Sequence, residues 1–356
     1  YEALPDPQPP MEAPSAMRPW LPRPWGLSNV NWWPDFPTTA AAARQAFARQ
    51  GGGRVDGVVA ITEHVLRDLL EAMGPLQLPG YDEPVGAEGL EDRIVYEVEL
   101  KRPADTPRKR FLIELAHVAF DRLFDLRAGD LPAVSRALGR AAGAGDLQVW
   151  FADRRDQAAV TGSVAAGQLP VTRGDFLLLV DTNRSASKAN KELTRQVSYR
   201  VRRTGDGDYG GSLEIMYRNA GEATAVNPWY YGYLRVYVPS GARLVAGTST
   251  GVSDAGPAED GPYRVFVAEV FVKPLGAETI RIEYQLPRRV AAGGRYRLTW
   301  ARQPGTPRDR LTVLAGGQHW TMEQGSRQLD VSTDLRGHPV AEFLRSRGVV
   351  RAVFGE

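Results

Sequence analysis

The sequence predicts an α+β protein with more than one domain, in which an α/β layer domain precedes an antiparallel β-sandwich. Its 356 residues exceed the length of one average domain. Up to about residue 193, apolar residues at three- and four-residue spacing alternate with short β-branched runs, which is typical of helices around buried strands. From residue 194, period-two alternation between turn residues indicates a sandwich.

An extended arm precedes these domains. Proline is frequent in residues 1–37 and favours extended backbone over helix. The arm also contains Trp20, Trp25, Trp32 and Trp33. Because each indole ring buries a large apolar area, we expect the arm to pack, either onto its own chain or onto another molecule.

Capping residues and glycines delimit the elements of the α/β domain, which we place at 38–193. Thr38 or Thr39 begins a helix that Gly51 ends, and Thr62 begins a second helix that Gly74 ends. We expect further helices at 108–126, 131–142 and 154–161, and strands at 55–61, 147–151 and 176–180.

The second half of the chain contains short alternating segments separated by Gly, Pro, Asp and Asn. They predict an Ig-like β-sandwich over 194–325 and a tail over 326–356. The predicted strands lie at 197–203, 212–218, 232–238, 263–272, 278–285 and 295–300, with another near 329–332 and a short helix near 340–347.

Composition excludes several classes of function. The formal net charge is +2, which is too balanced for binding to nucleic acid through bulk charge. The absence of cysteine excludes disulfides, thiolate catalysis and zinc–cysteine sites, and it fits a bacterial surface or secreted protein. No apolar run approaches the roughly 20 residues that span a bilayer.

The sequence also contains no recognisable reaction centre. It has no Gly-x-Ser-x-Gly elbow, and His64 and His117 lie in predicted helices, where a structural role is more common. The glycines at 51–53 follow a helix, so they do not form a phosphate loop, and the loop at 204–211 indicates a hairpin turn rather than a calcium site. We therefore predict no catalytic residue, no metal site and no cofactor.

Two polar clusters are candidate ligand sites. Asn31 and Asp35 lie in a rigid Trp–Pro frame that suits a sugar or a hard cation, although Asp35 could instead cap the following helix. The second cluster follows the apolar strand at 176–180, and ligands bind at the C-terminal ends of such strands. Its donors Asn183, Lys188 and Asn190 suit a phosphate or a glycan; alternatively, this loop is a domain junction.

A third candidate site is aromatic. Trp229, Tyr230, Tyr231 and Tyr233 are close together at a loop-to-strand junction. Their rings could stack on sugars, together with the tryptophans of the arm, or they could close one end of the sandwich.

An ordered set of short motifs resembles the bacterial domain-of-unknown-function family 4012 (DUF 4012). These motifs are NWWPDFP at 31–37, VDGVVA at 55–60, GP at 74–75, RKRF at 108–111, DTN at 181–183, KAN at 188–190, YRN at 217–219, YVPSG at 237–241, YQLP at 284–287 and QPGT at 303–306. The resemblance implies a large surface protein held by an N-terminal membrane helix, so we expect membrane attachment only through an anchor that precedes Tyr1.

The front part of that family is similar to the LytR–CpsA–Psr phosphotransferases, which attach glycopolymers to the cell wall from lipid-pyrophosphate donors. The resemblance implies that residues 38–193 are a remnant of that fold. In those enzymes arginines, aspartates and Mg²⁺ surround the pyrophosphate, and the segments that carry most of them lie upstream of this chain. The candidates for that role here are Arg54, Arg108, Arg110 and Arg184.

Two functional hypotheses follow. The first is a non-catalytic, extracellular cell-envelope protein of a bacterium that acts in surface assembly or glycan contact and self-assembles through its arm. Its partners would be other copies of the chain or envelope glycopolymers. The alternative is a LytR–CpsA–Psr-like phosphotransferase, which would require Mg²⁺.

Overall fold

The computed structural model shows a mixed α+β protein with helices in its first part and two large β-sheets in its second. It describes residues 4–21, 24–101, 110–185, 187–204, 208–245, 249, 251–257, 261–323 and 325–335. The chain divides into two compact units, Tyr1–Leu169 and Pro170–Glu356.

The first unit is mostly helical. Its helices are α1 (Phe36–Arg49), α2 (Glu63–Met73), α3 (Leu90–Val95), α4 (Arg110–Phe124), α5 (Leu131–Ala144) and α6 (Arg154–Val160), and a π-helical turn at Tyr96–Leu100 continues α3. Strands β1 (Gly57–Ile61) and β2 (Leu147–Phe151) pair antiparallel with each other. The predicted helices and these two strands are therefore present, with ends that differ by a few residues.

Apolar faces at helical spacing hold the first unit together. Phe111, Leu115 and Ala119 on α4 pack with Leu70 of α2 and Leu90 of α3. A neighbouring cluster joins α2 to α5; it comprises Val65, Leu69, Val134 and Ala141. Each of these helices thus buries one side, as the apolar spacing predicts.

The proline-rich segment folds back onto α1. Met17, Trp25 and Val30 form a buried cluster with half-buried Trp32 and Trp33. Arg49 Nη1 donates to the carbonyls of Pro9 and Pro10 at 3.2 and 3.1 Å, and Gln50 Nε2 donates to that of Pro5 at 2.8 Å. Of the two packing modes expected for the arm, the structure shows the intramolecular one.

The second unit consists of two six-stranded sheets. In the first sheet the strand order is β13-β12-β4-β5-β10-β7, and in the second it is β14-β11-β3-β6-β9-β8. The strands are β3 (Asp175–Asn183), β4 (Leu193–Thr204), β5 (Asp208–Asn219), β6 (Tyr230–Pro239), β7 (Arg243–Leu244), β8 (Ser253–Pro257), β9 (Tyr263–Val272), β10 (Ala277–Leu286), β11 (Arg295–Ala301), β12 (Arg310–Ala315), β13 (Gln318–Glu323) and β14 (Gln328–Asp334).

The two sheets share one hydrophobic core. Along β4 every second side chain is buried, from Leu193 to Val201, while the intervening residues are exposed. All of these side chains except Arg195 form one cluster with inward residues of the other sheet, such as Leu177 of β3, Val236 of β6 and Trp300 of β11. The period-two alternation in the sequence thus identified the core-facing residues.

Several features differ from the sequence-based expectation, including α3, β12 and β13, which were not predicted. The strand predicted at 176–180 lies in β3 of the second unit, and the chain divides after Leu169 rather than near residue 193. Each sheet contains one parallel pair, β3 with β11 and β4 with β12, so the prediction of purely antiparallel sheets was wrong. Parallel partners need long connections, which local alternation does not reveal. The predicted strand near 329–332 is confirmed as β14, and the predicted helix near 340–347 lies outside the described residues.

A carboxylate lies in this core. Asp175, at the start of β3, is fully buried and accepts hydrogen bonds at 2.6 Å from the hydroxyls of Tyr199 on β4 and Tyr296 on β11. The backbone N–H of Phe176 donates to its other oxygen at 2.8 Å. Burial raises the pKa of Asp175 to about 6, although these three hydrogen bonds oppose the rise.

We predict that the contribution of Asp175 to stability falls as pH rises. Its folded-state pKa of about 6 lies above the usual 3.8, so the folded protein binds the proton more tightly than the unfolded chain. The free energy of unfolding of the wild type minus that of Asp175→Asn should fall by about 2 kcal/mol between pH 4 and pH 7. Urea unfolding at each pH measures this difference, and a constant or rising difference would contradict the prediction.

Candidate functional site

A polar cavity of about 180 Å³ lies in the second unit, beside the end of β3. Strands β3 to β6 supply one part of its wall, and the segment between β11 and β12 supplies the rest. The lining residues are Asp181, Asn183, Asn190, Leu193, Arg195, Tyr217, Tyr230, Gln303, Pro304, Gly305, Thr306, Pro307 and Asp309.

A buried arginine between two aspartates forms the floor of the cavity. Arg195 lies at an inward position of β4 and donates from Nε and Nη2 to the two carboxylate oxygens of Asp309, at 2.9 and 2.7 Å. Its Nη1 donates to Asp181 of β3. We name these three residues the Arg195 clasp.

Burial and the neighbouring charges shift the pKa values of the Arg195 clasp in opposite directions. Burial raises the pKa of Asp181, and Arg195 opposes that rise. Burial also disfavours the charge on Arg195, but Asp309 and Asp181 outweigh it and raise the pKa of the guanidinium well above its ordinary value. Arg195 is therefore a permanent cation, and its charge is already paired with Asp181 and Asp309 inside the protein.

Further hydrogen bonds hold the Asp181 side chain and backbone. The Tyr217 hydroxyl donates to its Oδ1 at 3.0 Å. The Gln303 amide bonds both backbone groups of Asp181: its oxygen accepts from the N–H at 2.8 Å, and its nitrogen donates to the C=O at 2.9 Å. Tyr230 stacks on Tyr217 with ring centroids 6.5 Å apart, and burial raises the pKa of both phenols well above the ordinary value.

The amides of Asn183 and Asn190 belong to a hydrogen-bonded loop at the rim. Asn183 Nδ2 donates to Asn190 Oδ1 at 3.2 Å and to the Ser187 carbonyl at 2.9 Å. Asn183 Oδ1 accepts from the backbone N–H of Ser185 at 2.9 Å. Asn190 is exposed, so its amide remains accessible to solvent at the mouth of the cavity.

The aromatic candidates of this unit have different environments. Trp229 is 48% exposed, and its carbonyl accepts a hydrogen bond from Ser187 Oγ at 3.3 Å, which ties it to the rim loop. Tyr230 is buried against the cavity, as expected for a ring that closes one end of the core. Tyr231 is half-buried.

The two basic candidates of the rim loop do not line the cavity. The Arg184 guanidinium lies over the ring of Tyr233 at 4.0 Å and pairs with Glu269 at 3.2 Å. Lys188 is exposed, and its backbone N–H donates to the Val226 carbonyl at 2.8 Å. Of the predicted donors, the structure therefore brings Asn183 and Asn190 together and leaves Arg184 and Lys188 elsewhere.

The candidates of the first unit form no comparable site. Asp35 caps α1, because its Oδ2 accepts from the backbone N–H of Thr38 at 3.3 Å. The same oxygen accepts from Thr38 Oγ1 at 2.8 Å, and Oδ1 accepts from the Leu169 N–H at 3.0 Å. Asn31, Arg54 and Arg110 are exposed. Arg110 Nε lies 3.9 Å from Glu114 on the same helix, and Arg108 lies outside the described residues.

Most tryptophans of the arm pack within the first unit. Trp25 is 2% exposed and contacts Trp33 edge-to-face, with ring centroids 6.4 Å apart. Trp32 and Trp33 are half-buried. Trp20, at 42% exposure, is the most accessible of the four.

The described residues contain no group of three or more His, Asp or Glu side chains placed to hold a metal ion. Within the same part of the chain, no helix is both long and apolar enough to cross a bilayer.

Sequence reasoning missed the Arg195 clasp and Gln303. One signal was available: Arg195 stands in register with Leu193, Val197 and Tyr199, all on the inward side of β4. A charged residue at an inward position predicts a buried ion pair. Its partners could not be read from the sequence, because Asp309 is far away along the chain.

The comparisons with known proteins agree with the resemblance found in the sequence. A family model described as a protein of unknown function, DUF4012, matches residues 2–96 and confirms the DUF 4012 resemblance over that part. No curated protein matches this sequence. A crystal structure of a proposed nutrient-binding protein from Legionella pneumophila shares 9% identity over 45% of this chain and 70% of that chain, with a TM-score of 0.26. A score this low supports no statement about fold or function.

We predict that Arg195→Met destabilises the protein by about 3–5 kcal/mol, because it leaves Asp181 and Asp309 buried without their cation. Arg200→Met, on the exposed side of the same strand, is the matched control and should change stability by less than about 0.5 kcal/mol. Denaturant unfolding of both variants provides the measurement. Equal losses of stability in Arg195→Met and Arg200→Met would contradict the prediction, because they would show no specific contribution of the Arg195 clasp to stability.

Proposed function

We propose that this chain is a non-catalytic protein of the bacterial cell envelope, and that its second unit, an Ig-like β-sandwich, contacts envelope glycopolymers. In this proposal the ligand enters the cavity beside β3, and the protein works at the cell surface. One observation carries it: the amides of exposed Asn190 and half-buried Asn183 line the cavity, while the charged groups in the same lining are paired with one another.

The chemistry of the lining favours a neutral ligand that is rich in hydroxyl groups. The Arg195 guanidinium already donates three hydrogen bonds to two carboxylates, whose combined negative charge disfavours a phosphate beside it. Amides such as Asn190 both donate and accept hydrogen bonds, which suits sugar hydroxyls. Trp229, tied to the rim through Ser187, offers an exposed ring for stacking.

The phosphotransferase alternative finds less support among the described residues. It requires several arginines that converge on a diphosphate. Arg184 instead stacks on Tyr233 and pairs with Glu269, and Arg54 and Arg110 are exposed in the first unit. We therefore do not extend the proposal to catalysis or to a Mg²⁺ requirement.

Fewer tryptophans of the arm are exposed for self-assembly than the sequence suggested. Trp25 is buried within the first unit, and Trp32 and Trp33 are half-buried there. Trp20 is the arm tryptophan that remains exposed for contact with another copy or with a glycan.

We expect Asn183→Ala/Asn190→Ala to weaken glycan binding about 10-fold, because it removes two amides at about 0.5–1.5 kcal/mol each. The assay is binding to an array of neutral and anionic bacterial glycans, with affinity measured on the best ligand. Gln196→Ala, which removes an exposed amide from β4, serves as the control. Absence of glycan binding by the wild type, or equal binding by the double variant, would refute the proposal.

Trp229→Ala should also weaken binding, by roughly 3- to 10-fold, because a stacked aromatic ring contributes about 0.5–1.5 kcal/mol. Trp20→Ala is the matched control, since the two rings are similarly exposed, at 48% and 42%. Loss of binding in Trp20→Ala alone would instead place glycan contact on the arm.

A further inference from the structure

We propose that the outward face of α4 is a docking surface for the same helix of a second copy of this chain, arranged antiparallel. This inference concerns the first unit and is independent of the glycan proposal. The surface is defined by Ile113, His117, Phe120 and Phe124, which we name the α4 stripe. The flanking residues Arg110 and Asp121 lie on the same exposed side.

The α4 helix is apolar on two sides. Its inner side buries Phe111, Leu115 and Ala119 in the core of the first unit. Its outer side leaves Ile113, Phe120 and Phe124 exposed by 39, 47 and 87%. A helix that needs only to cover a core carries polar residues on its outer side, so the α4 stripe indicates a further contact.

The spacing of the stripe matches that of helix pairing. Its four residues follow at intervals of four, three and four, which is the seam spacing of helices that pack side by side. In an antiparallel pair centred on His117, Ile113 of one copy packs beside Phe120 of the other. An amphipathic helix on a membrane has the same spacing, so the charges beside the stripe decide the occupant. A membrane-bound helix carries basic residues there, whereas the α4 stripe is flanked by one basic and one acidic residue, Arg110 and Asp121.

Charge complementarity selects the antiparallel arrangement and a second copy as the occupant. Arg110 lies at the N-terminal end of the helix and Asp121 in its last turn. Antiparallel pairing places Arg110 of each copy beside Asp121 and the ring of Phe124 of the other copy, which gives two ion pairs and two cation–π contacts. In a parallel, in-register pair, Arg110 of one copy and Asp121 of the other would be separated by roughly 16 Å along the helix axes, so neither ion pair could form.

The area of the α4 stripe limits the affinity that we expect for the dimer. One helix face per partner is smaller than a standard interface of about 1,600 Å² in total. We therefore expect a reversible dimer with a dissociation constant in the micromolar range, which the high local concentration of an envelope protein would populate.

Sedimentation equilibrium of the full chain over 1–300 μM tests the proposal. The wild type should be a monomer–dimer mixture, and Phe120→Glu should weaken dimerisation at least 100-fold, because it places a charge at the centre of the interface. Phe271→Glu, which replaces a ring of equal exposure in the second unit, should leave the dimer unchanged. A monomeric wild type, or a dimer that survives Phe120→Glu, would overturn the proposal.

A charge exchange tests the arrangement. Arg110→Asp and Asp121→Arg should each weaken the dimer roughly 10-fold, since each creates two like-charged contacts. The double variant Arg110→Asp/Asp121→Arg should restore wild-type affinity, and failure to do so would exclude the antiparallel pair. Vesicle flotation with anionic lipid provides the last control. If the wild type is monomeric and binds the vesicles, and if Phe120→Glu abolishes this binding, the stripe would be assigned to a membrane.

Discussion

Strand β3 carries two aspartates, the fully buried Asp175 at its start and the largely buried Asp181 near its end, and both contact β4 of the opposite sheet. Asp175 accepts from the Tyr199 hydroxyl, and Asp181 accepts from Arg195. Because a buried carboxylate without partners is costly, an alignment of the two sheets that separated either aspartate from its partner on β4 would be disfavoured. We interpret these contacts as devices that fix the alignment of the sheets, whereas the shared apolar core supplies the favourable free energy.

The same constraint produces the candidate site. Asp181 needs Arg195 and Tyr217 around its side chain and Gln303 on its backbone, so the segment after β11 is drawn against the end of β3. The cavity lies where these segments meet. Its charged groups are therefore paired with one another, one cation with two carboxylates, and the amides of Asn183 and Asn190 are the groups that we propose contact a ligand. This division supports our proposal of a binding site.

The two units leave different surfaces exposed. In the first unit, the proline-rich segment is held against α1 by backbone carbonyls that accept from Arg49 and Gln50. Trp25, Trp32 and Trp33 thus contribute to a small core, and α4 carries three of the large apolar side chains that the first unit leaves exposed. In the second unit, exposed apolar surface near the cavity is represented by Trp229. One unit would serve contact between copies, and the other would serve contact with glycan.

The sequence alone determined the elements that depend on local periodicity. The apolar spacing of α4 identified its buried face, and the alternation in β4 identified the inward residues, because both patterns record which side of an element meets the core. It also placed Asn183 and Asn190 in one polar loop after an apolar strand. Only the tertiary structure decided that β3 belongs to the second unit, that β11 and β12 pair in parallel with much earlier strands, and that Asp309 lies against Arg195. These features join residues more than a hundred positions apart. No local pattern encodes which distant strand will pair with a given strand, or which distant charge will pair with a buried charge.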